Sequence, residues 1–528
     1  MPNFTPSIST KSTRLFSPFL LISIFIVAAC SIFYELLVST VTTYLLGSSI
    51  LHFSLTIGFF MSFMGLGAYL SRFIKKELLY YFIVIEIILG LAGGASCFLL
   101  HSFFAFTDSF YILTFLLVAA LGTLVGLELP LLTRIIKSFS NLRETLAKVL
   151  AFDYLGALLA SILFPIIFLP FLGTMRTAFV IGLINLLIAS VSILLLGKQI
   201  LHAKKLLFFS LLCSGLLIAG LLYSTNLQLF FEKNLYQDEV IYLEQSKYQK
   251  IVLTRYKQDI RLYLNNHLQF SSIDEYRYHE PLVHVPLVCN PWIRKVLILG
   301  GGDGLAAKEL LKNPRIDSIY LVDIDEKVTQ LCKNHVLVKQ INRGALENPK
   351  VKIIHKDAFK FIEETETFFD LIIADLPDPS EPSVAKLYTL EFYMLIKRVL
   401  SNKGIFVTQA TSPYYAPLAF WCIQRTLQSV FDATLPYHTY VPSFGSWGFI
   451  LASNSTEIKK RLEQIVTLEV EKYFSKIPTQ YIKPPIWSSF FTFPQDMKIE
   501  DIDNLTVNNL DKMKLVEYYA QSWRRWNP

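Results

Sequence analysis

Apolar positions run almost unbroken through the first 223 residues and then give way to short alternating stretches. Seven apolar runs stand out, at 15–38, 50–74, 78–100, 108–136, 150–172, 175–197 and 204–223. Each reaches or approaches the roughly 20 residues that a helix needs to cross a hydrocarbon core. The pattern predicts a multi-pass α-helical membrane domain over 1–225, in contact with the lipid bilayer. Pro165 and Pro170 predict a break in the fifth run, and Gly90, Gly93 and Gly94 predict close helix packing. The first run is too long, and too closely followed by others, for a cleaved leader.

After Tyr223 the period changes. A small β-rich region is expected over 226–294, a strand and helix alternation over 295–455, and a C-terminal extension over 456–528. The strand KVLILG runs into Gly300-Gly301-Gly302-Asp303-Gly304, and LAAKELL then takes helical spacing. SIYLV ends at Asp323, KVKIIH ends near Asp357, and FDLIIA ends at Asp375. The alternation reads as a doubly wound parallel sheet, in which ligands sit at the carboxyl ends of strands. Four acids fall at four such ends.

Charge adds orientation. Lys and Arg gather in alternate loops: Arg72, Lys75 and Lys76; Arg134, Lys137, Arg143 and Lys148; Lys198, Lys204 and Lys205. Together with Lys11 and Arg14 these mark the cytoplasmic side. Seven crossings would then leave the rest of the chain outside. Over the whole sequence 49 basic residues face 42 acidic ones, for a net charge of +7, without a basic stripe, so nucleic acid is not an expected partner. Six cysteines lack metal-ligand spacing, and neither disulfides nor zinc are expected. Glu35, Glu86, Glu128 and Asp153 lie inside or near apolar runs, where an acid costs several kcal/mol unless paired or facing water.

A glycine turn followed by an acid suits a nucleoside, because backbone can approach closely and the acid can hold ribose hydroxyls. Asp303 inside that turn repels phosphate and favours a ligand with an ammonium group. The stretch from Tyr248 to Ser453 resembles the spermidine synthase family of aminopropyltransferases, in its membrane-bound bacterial form. The resemblance is carried by Tyr248-Gln249, Gln269, Asp274-Glu275, Tyr278-His279-Glu280, VLILGGGDG, Asp323, KDAFKF, DLPDPSEP, Leu387-Tyr388 and Phe392-Tyr393.

The resemblance implies a Rossmann-like (class I methyltransferase-like) catalytic domain. It also implies transfer of an aminopropyl group from decarboxylated S-adenosylmethionine to a diamine, putrescine first, giving spermidine and 5′-methylthioadenosine. Asp375 matches the family's base. Gln249, Gly300, Gly302, Asp323, Asp357, Ala358 and Pro382 match positions that hold the nucleoside. Asp303 matches the partner of the aminopropyl ammonium, and Asp378 with His279, helped by Tyr278, would hold the diamine. No cofactor or metal is implied beyond the co-substrate; self-association is. A cytosolic donor calls for a cytoplasmic catalytic domain, in conflict with seven crossings unless a run such as 204–223 lies along or dips into the membrane.

Three departures from the family pattern fall on the acceptor side. Leu264-Asn265-Asn266 stands where Leu-Asp-Gly is usual, Leu376-Pro377 replaces small hydroxyl residues, and Phe444 stands for a tyrosine. Competing readings are a polyamine transporter or sensor with a degenerate synthase domain, and an S-adenosylmethionine-dependent methyltransferase. Asp303 weighs against the last, because it would repel that donor's carboxylate. Ile458 to Phe474 has helical spacing, and Trp523-Arg524-Arg525-Trp526 could dock at a membrane, cover a site or simply pack.

Overall fold

The computed structural model describes all residues except 1–9, 47–49, 108, 138–141, 198–199, 237, 469 and 527–528. The loop cation Lys198 therefore lies outside the described residues. The chain divides into two compact units, Met1–Val240 and Ile241–Pro528.

The first unit is helical. Among the described residues five helices are long and apolar enough to cross a membrane: Phe19–Leu46, His52–Phe73, Phe110–Lys137, Leu146–Leu196 and Ala203–Leu222. Leu78–Gly94 and Ser96–Phe106 form a sixth candidate, bent by 47°. The count differs from seven because the expected runs 150–172 and 175–197 share one helical stretch of 51 residues. At ~1.5 Å per residue that stretch is about 77 Å long, more than twice a hydrocarbon core of roughly 30 Å. Its helix breaks at Gly173, where φ is 71° and ψ 179°. The Ala203–Leu222 helix buries Leu206, Ser210, Cys213 and Leu217, one stripe at helical spacing, and exposes Phe208, Phe209, Leu212 and Leu216. Such an apolar exposed face suits lipid rather than water.

Packing inside this unit is close where glycines meet. A Cβ on Gly182 would stand 2.7 Å from the Gly94 Cα and 2.5 Å from the Gly90 carbonyl oxygen, so those two helices touch backbone to backbone. Two of the four acids in the apolar helices find polar partners on other helices: Asn185 donates to Glu86 at 3.0 Å, and Ser31 donates to Glu128 at 3.3 Å.

A four-stranded sheet follows in the order β1 (Glu239–Gln245), β2 (Lys250–Tyr256), β3 (Asp259–Leu264), β4 (His267–Ser271), with β3 antiparallel to both β2 and β4. Asn265 and Asn266, with φ of 48° and 68°, make the two-residue turn between β3 and β4. Asn tolerates this left-handed conformation, so that departure from the family pattern keeps the hairpin. The larger sheet contains β5 (Lys295–Gly300), β6 (Ser318–Asp323), β7 (Val351–His355), β8 (Phe369–Asp375), β9 (Leu400–Gln409), β10 (Ala433–Val441) and β11 (Gly445–Ser453). Its order is β10-β11-β9-β8-β5-β6-β7; the five strands from β9 to β7 run parallel, while β10 and β11 are antiparallel.

Alternation along the central strands explains why they are apolar on both faces. Val296 and Ile298 enter one core with Leu371 and Ile373, whereas Leu297 and Leu299 enter the other with Ile372 and Ala374. Each large aliphatic chain buried this way is worth roughly 1.5–3 kcal/mol. The chain leaves β5 toward β6 and β7, then returns to β8 on the other side of β5. That reversal opens a crevice above the ends of β5 and β8.

The extension departs from the expected helix over Ile458 to Phe474. Thr456–Glu463 is helical, capped by Ser455; a 3₁₀ turn follows at Ile465–Thr467 before a short helix at Glu471–Phe474. The β-branched Ile465, Val466 and Thr467 propagate a helix poorly, and the Trp487 indole takes the Ile465 carbonyl at 2.7 Å. Further along, Gln480, Tyr481 and Ile482 donate their backbone N–H groups to the buried Glu280 carboxylate at 2.6, 2.9 and 3.0 Å. Glu280→Ala should strand these donors and lower stability by roughly 3–5 kcal/mol. Thermal unfolding checks this, with a fall in Tm of about 10 °C expected.

Candidate active site

Gly300 pairs with Asp375 in the parallel register of β5 and β8, so the glycine turn and the candidate base leave the sheet side by side. Gly300 and Gly301 adopt φ of 81° and 62°, conformations that favour glycine. A Cβ on Gly300 would stand 2.1 Å from the Asp375 carbonyl oxygen, and one on Gly302 2.4 Å from an Asp323 carboxyl oxygen. The Asp375 backbone and the Asp323 carboxylate thus fill the space that side chains would need, and the Gly302 N–H donates to Asp323 at 3.0 Å.

His279, Asp303 and Asp375 meet above this turn. One ligand-type atom from each lies within 4.8 Å of the other two. Tyr278 donates its hydroxyl to Asp375 Oδ1 at 2.7 Å, while His279 Nε2 stands 4.0 Å from Asp375 Oδ2. Both residues come from the buried helix Tyr276–Cys289. On its far side the His279 ring meets the Glu275 carboxylate at 3.1 Å, and Glu275 in turn pairs with Lys308. Asp303 is anchored by the Leu305 N–H at 2.8 Å.

Burial sets the electrostatics. It pushes Asp303 up to about 6, against the opposing charge of His279. It also raises Asp375, again countered by His279 and by the Tyr278 hydrogen bond. Burial would lower His279, but the Glu275 hydrogen bond and the Asp303, Glu275 and Asp375 charges lift it to about 9. His279 is therefore an imidazolium near neutrality, and the two facing carboxylates are only partly neutralised.

Among the donor-side candidates, Asp323 is raised by burial to about 6. Gln249 donates to Asp325 Oδ2 at 3.1 Å, and Ser246 donates to the same oxygen at 2.6 Å. Asp325, which caps the following helix through Lys327 N–H, was not singled out from the sequence; the Asp-Ile-Asp spacing at the strand end is the signal for it. Asp357 caps the helix beginning at Ala358 and pairs with Lys386 at 2.7 Å. Burial would raise Asp357, but Lys386 and the cap hold it below its usual value. Pro382 opens the short helix Pro382–Ala385.

Asp378 has partners of its own. Its Oδ2 accepts from Tyr519 at 2.8 Å and from Thr411 at 3.4 Å, and burial pushes it up to about 6. The sequence reading paired it with His279, whereas the hydrogen bonds tie His279 to Glu275 and Asp378 to the C-terminal helix Lys514–Arg524. Tyr519 and the pair Glu275–Lys308 were missed from the sequence. Phe444 stands 6.2 Å from the Tyr278 ring and 5.2 Å from Trp447, continuing an aromatic wall beside the carboxylates.

Residues 275–464 match the family described as "Spermine/spermidine synthase domain". The chain is 43% identical over 511 residues to the polyamine aminopropyltransferase of Leptospira interrogans, covering 96% of this chain and 99% of that one. It is 38% identical to polyamine aminopropyltransferase 2 of Ralstonia nicotianae, covering 96% and 98%. A solved spermidine synthase from Thermotoga maritima is 27% identical, covers 48% of this chain and 85% of its own, and gives a TM-score of 0.43. With glycine turn, strand-end acids and buried carboxylate pair all in place, the near full-length identity to these relatives shows that the chain belongs to the polyamine aminopropyltransferase family.

Proposed function

We propose that the protein transfers the aminopropyl group of decarboxylated S-adenosylmethionine to a diamine, with putrescine as the acceptor. The observation that carries this reading is the convergence of Asp303, Asp375 and His279 at the switch point of the sheet. The nucleoside lies along the glycine turn, with Asp323 at the ribose and with Gln249, Asp357, Ala358 and Pro382 around the base and sugar. Asp303 holds the ammonium of the aminopropyl arm, which fixes the carbon beside the sulfonium.

Asp375 takes a proton from the acceptor ammonium, freeing the nitrogen lone pair. That pair forms the new N–C bond as the C–S bond breaks. Its electrons return to sulfur, and neutral methylthioadenosine leaves. Tyr278 orients Asp375 through its hydroxyl. His279 is assigned a different part from the one read in the sequence: as an imidazolium it steadies both carboxylates rather than gripping a cationic amine. Asp378 holds the acceptor's distal ammonium.

The raised carboxylates give a pH dependence with a definite sign. Asp303, Asp323 and Asp378 each bind substrate when ionised, and each protonates as pH falls through about 6. Turnover at subsaturating substrate should therefore rise from pH 5 to pH 7. A profile flat across that interval would contradict these roles. Mass spectrometry of the products from 1,3-diaminopropane, putrescine, cadaverine and spermidine identifies the acceptor; putrescine giving the largest turnover supports the reading.

We also place the helical unit in the cell membrane as an anchor, with the catalytic unit on the cytoplasmic face where the donor is made. A topology reporter fused at the C-terminus reads the side directly.

A further inference from the structure

Asp378 is contacted by a segment beyond the family-matched residues. The helix Lys514–Arg524 brings Tyr519 to Asp378 Oδ2 at 2.8 Å, and Trp523 stacks flat on Tyr415, with centroids 5.7 Å apart and planes 6° apart. Trp526 packs across both Tyr414 and Tyr415 and donates its indole N–H to the Tyr415 carbonyl at 3.1 Å. Tyr415 in turn lies over the turn after Phe444: a Cβ on Gly445 would stand 2.7 Å from its ring. Aromatic contacts thus run from the C-terminal helix to the very turn where the family's tyrosine is replaced.

Two further observations point at Asp378 itself. Its Oδ1 is buried and has no hydrogen-bond partner among the described residues, although Oδ2 is held. Thr411, whose hydroxyl faces Oδ2, adopts φ of 59°, a costly conformation for a β-branched residue that the surrounding structure must enforce. Its N–H is taken by Gln409 Oε1 at 2.8 Å, and its carbonyl by the Gly448 N–H at 2.8 Å. One carboxyl oxygen is therefore clamped from two elements while the other is buried without a partner among the described residues. A primary ammonium, with three donors, fits an oxygen left in that state.

We propose that Tyr519 is a specificity-determining positioning residue: its hydroxyl clamps Asp378 so that the free oxygen meets the far ammonium of a diamine at a fixed distance from Asp375. In this chain the C-terminal helix supplies the hydroxyl that Phe444 lacks. This inference rests on the aminopropyl-transfer reading given above. The groups facing Asp378 are Tyr519 from the C-terminal helix, Thr411 and Gln409 at the end of β9, and Tyr388 beside the Asp375–Asp378 loop. A hydroxyl donated to the ionised carboxylate favours that form, so its loss should raise the pH at which Asp378 becomes charged.

The test compares full-length wild type with Tyr519→Phe in the same membrane preparation, using decarboxylated S-adenosylmethionine and diamines of three, four and five carbons. The expected result is a KM for putrescine raised about tenfold, with donor KM unchanged, a flatter preference among chain lengths, and the acid limb of the acceptor profile moved to higher pH. Trp526→Ala, which leaves the hydroxyl in place, should alter these quantities less. If both KM values stay at wild type, or both rise together with a loss of thermal stability, Tyr519 does not position the acceptor. A wild type with no turnover would overturn the parent reading instead, and the two failures are told apart by that control.

Discussion

Asp375→Asn should abolish steady-state methylthioadenosine release, lowering kcat by about a thousandfold, since a positioned base contributes roughly 10²–10⁴ in rate. The substitution is nearly isosteric. Asn retains an oxygen for the Tyr278 hydroxyl, which donates at 2.7 Å in the wild type, and keeps the buried group satisfied. The backbone carbonyl of residue 375, which receives the Gly301 N–H at 3.1 Å, is untouched, so the glycine turn should keep its shape. Nucleoside binding, measured by calorimetry with methylthioadenosine, should stay within about threefold of wild type, because the residues proposed to hold it lie elsewhere, at Asp323 and Asp357. What disappears is the acceptor of the amine proton. A variant with near-normal kcat would mean that another group takes that proton.

Asp303→Asn should act on the donor. Its carboxylate is placed in the glycine turn, buried, and restrained by the Leu305 N–H, so its charge interacts with a ligand ammonium with little screening. A hydrogen bond to a charged partner is worth roughly 1.5–3 kcal/mol, which corresponds to about 10- to 150-fold in donor KM. Discrimination should fall as well. S-adenosylmethionine carries a carboxylate that Asp303 repels, and removing the negative charge should tighten its binding while that of the decarboxylated form weakens. Competition between the two donors reads both effects together. Unchanged selectivity would show that the acid only caps the turn. The same contrast separates this enzyme from a methyltransferase on a similar sheet.

Asp323 and Asp375 were legible because the largely buried strands β6 and β8 read as apolar runs that end on those acids, while Asp303 and Asp357 follow the ends of β5 and β7 by two or three residues. Gly300 to Gly304 was legible for a related reason: close approach to Asp375 and Asp323 leaves no room for a side chain. Contacts that join distant parts of the chain carry no such local mark. Nothing near Asp378 announces Tyr519, 141 positions later, and nothing in the Tyr-His-Glu run says that Glu280 is claimed by backbone near residue 481. His279 illustrates the limit most clearly. Its position in the motif is plain from sequence, but its charge depends on Glu275, Asp303 and Asp375 converging in space. Hydropathy likewise finds the apolar runs 150–172 and 175–197 without registering that they belong to one stretch, Leu146–Leu196, broken at Gly173.

The proposed reaction depends on a negatively lined crevice that collects two cationic reactants and withdraws a proton from one of them. The direct test is to incubate the purified full-length protein with putrescine and either decarboxylated S-adenosylmethionine or S-adenosylmethionine, and to quantify methylthioadenosine and S-adenosylhomocysteine. Methylthioadenosine formed in step with spermidine from the decarboxylated donor alone is the predicted result. S-adenosylhomocysteine from the carboxylated donor, or no thioether product from either, would contradict it.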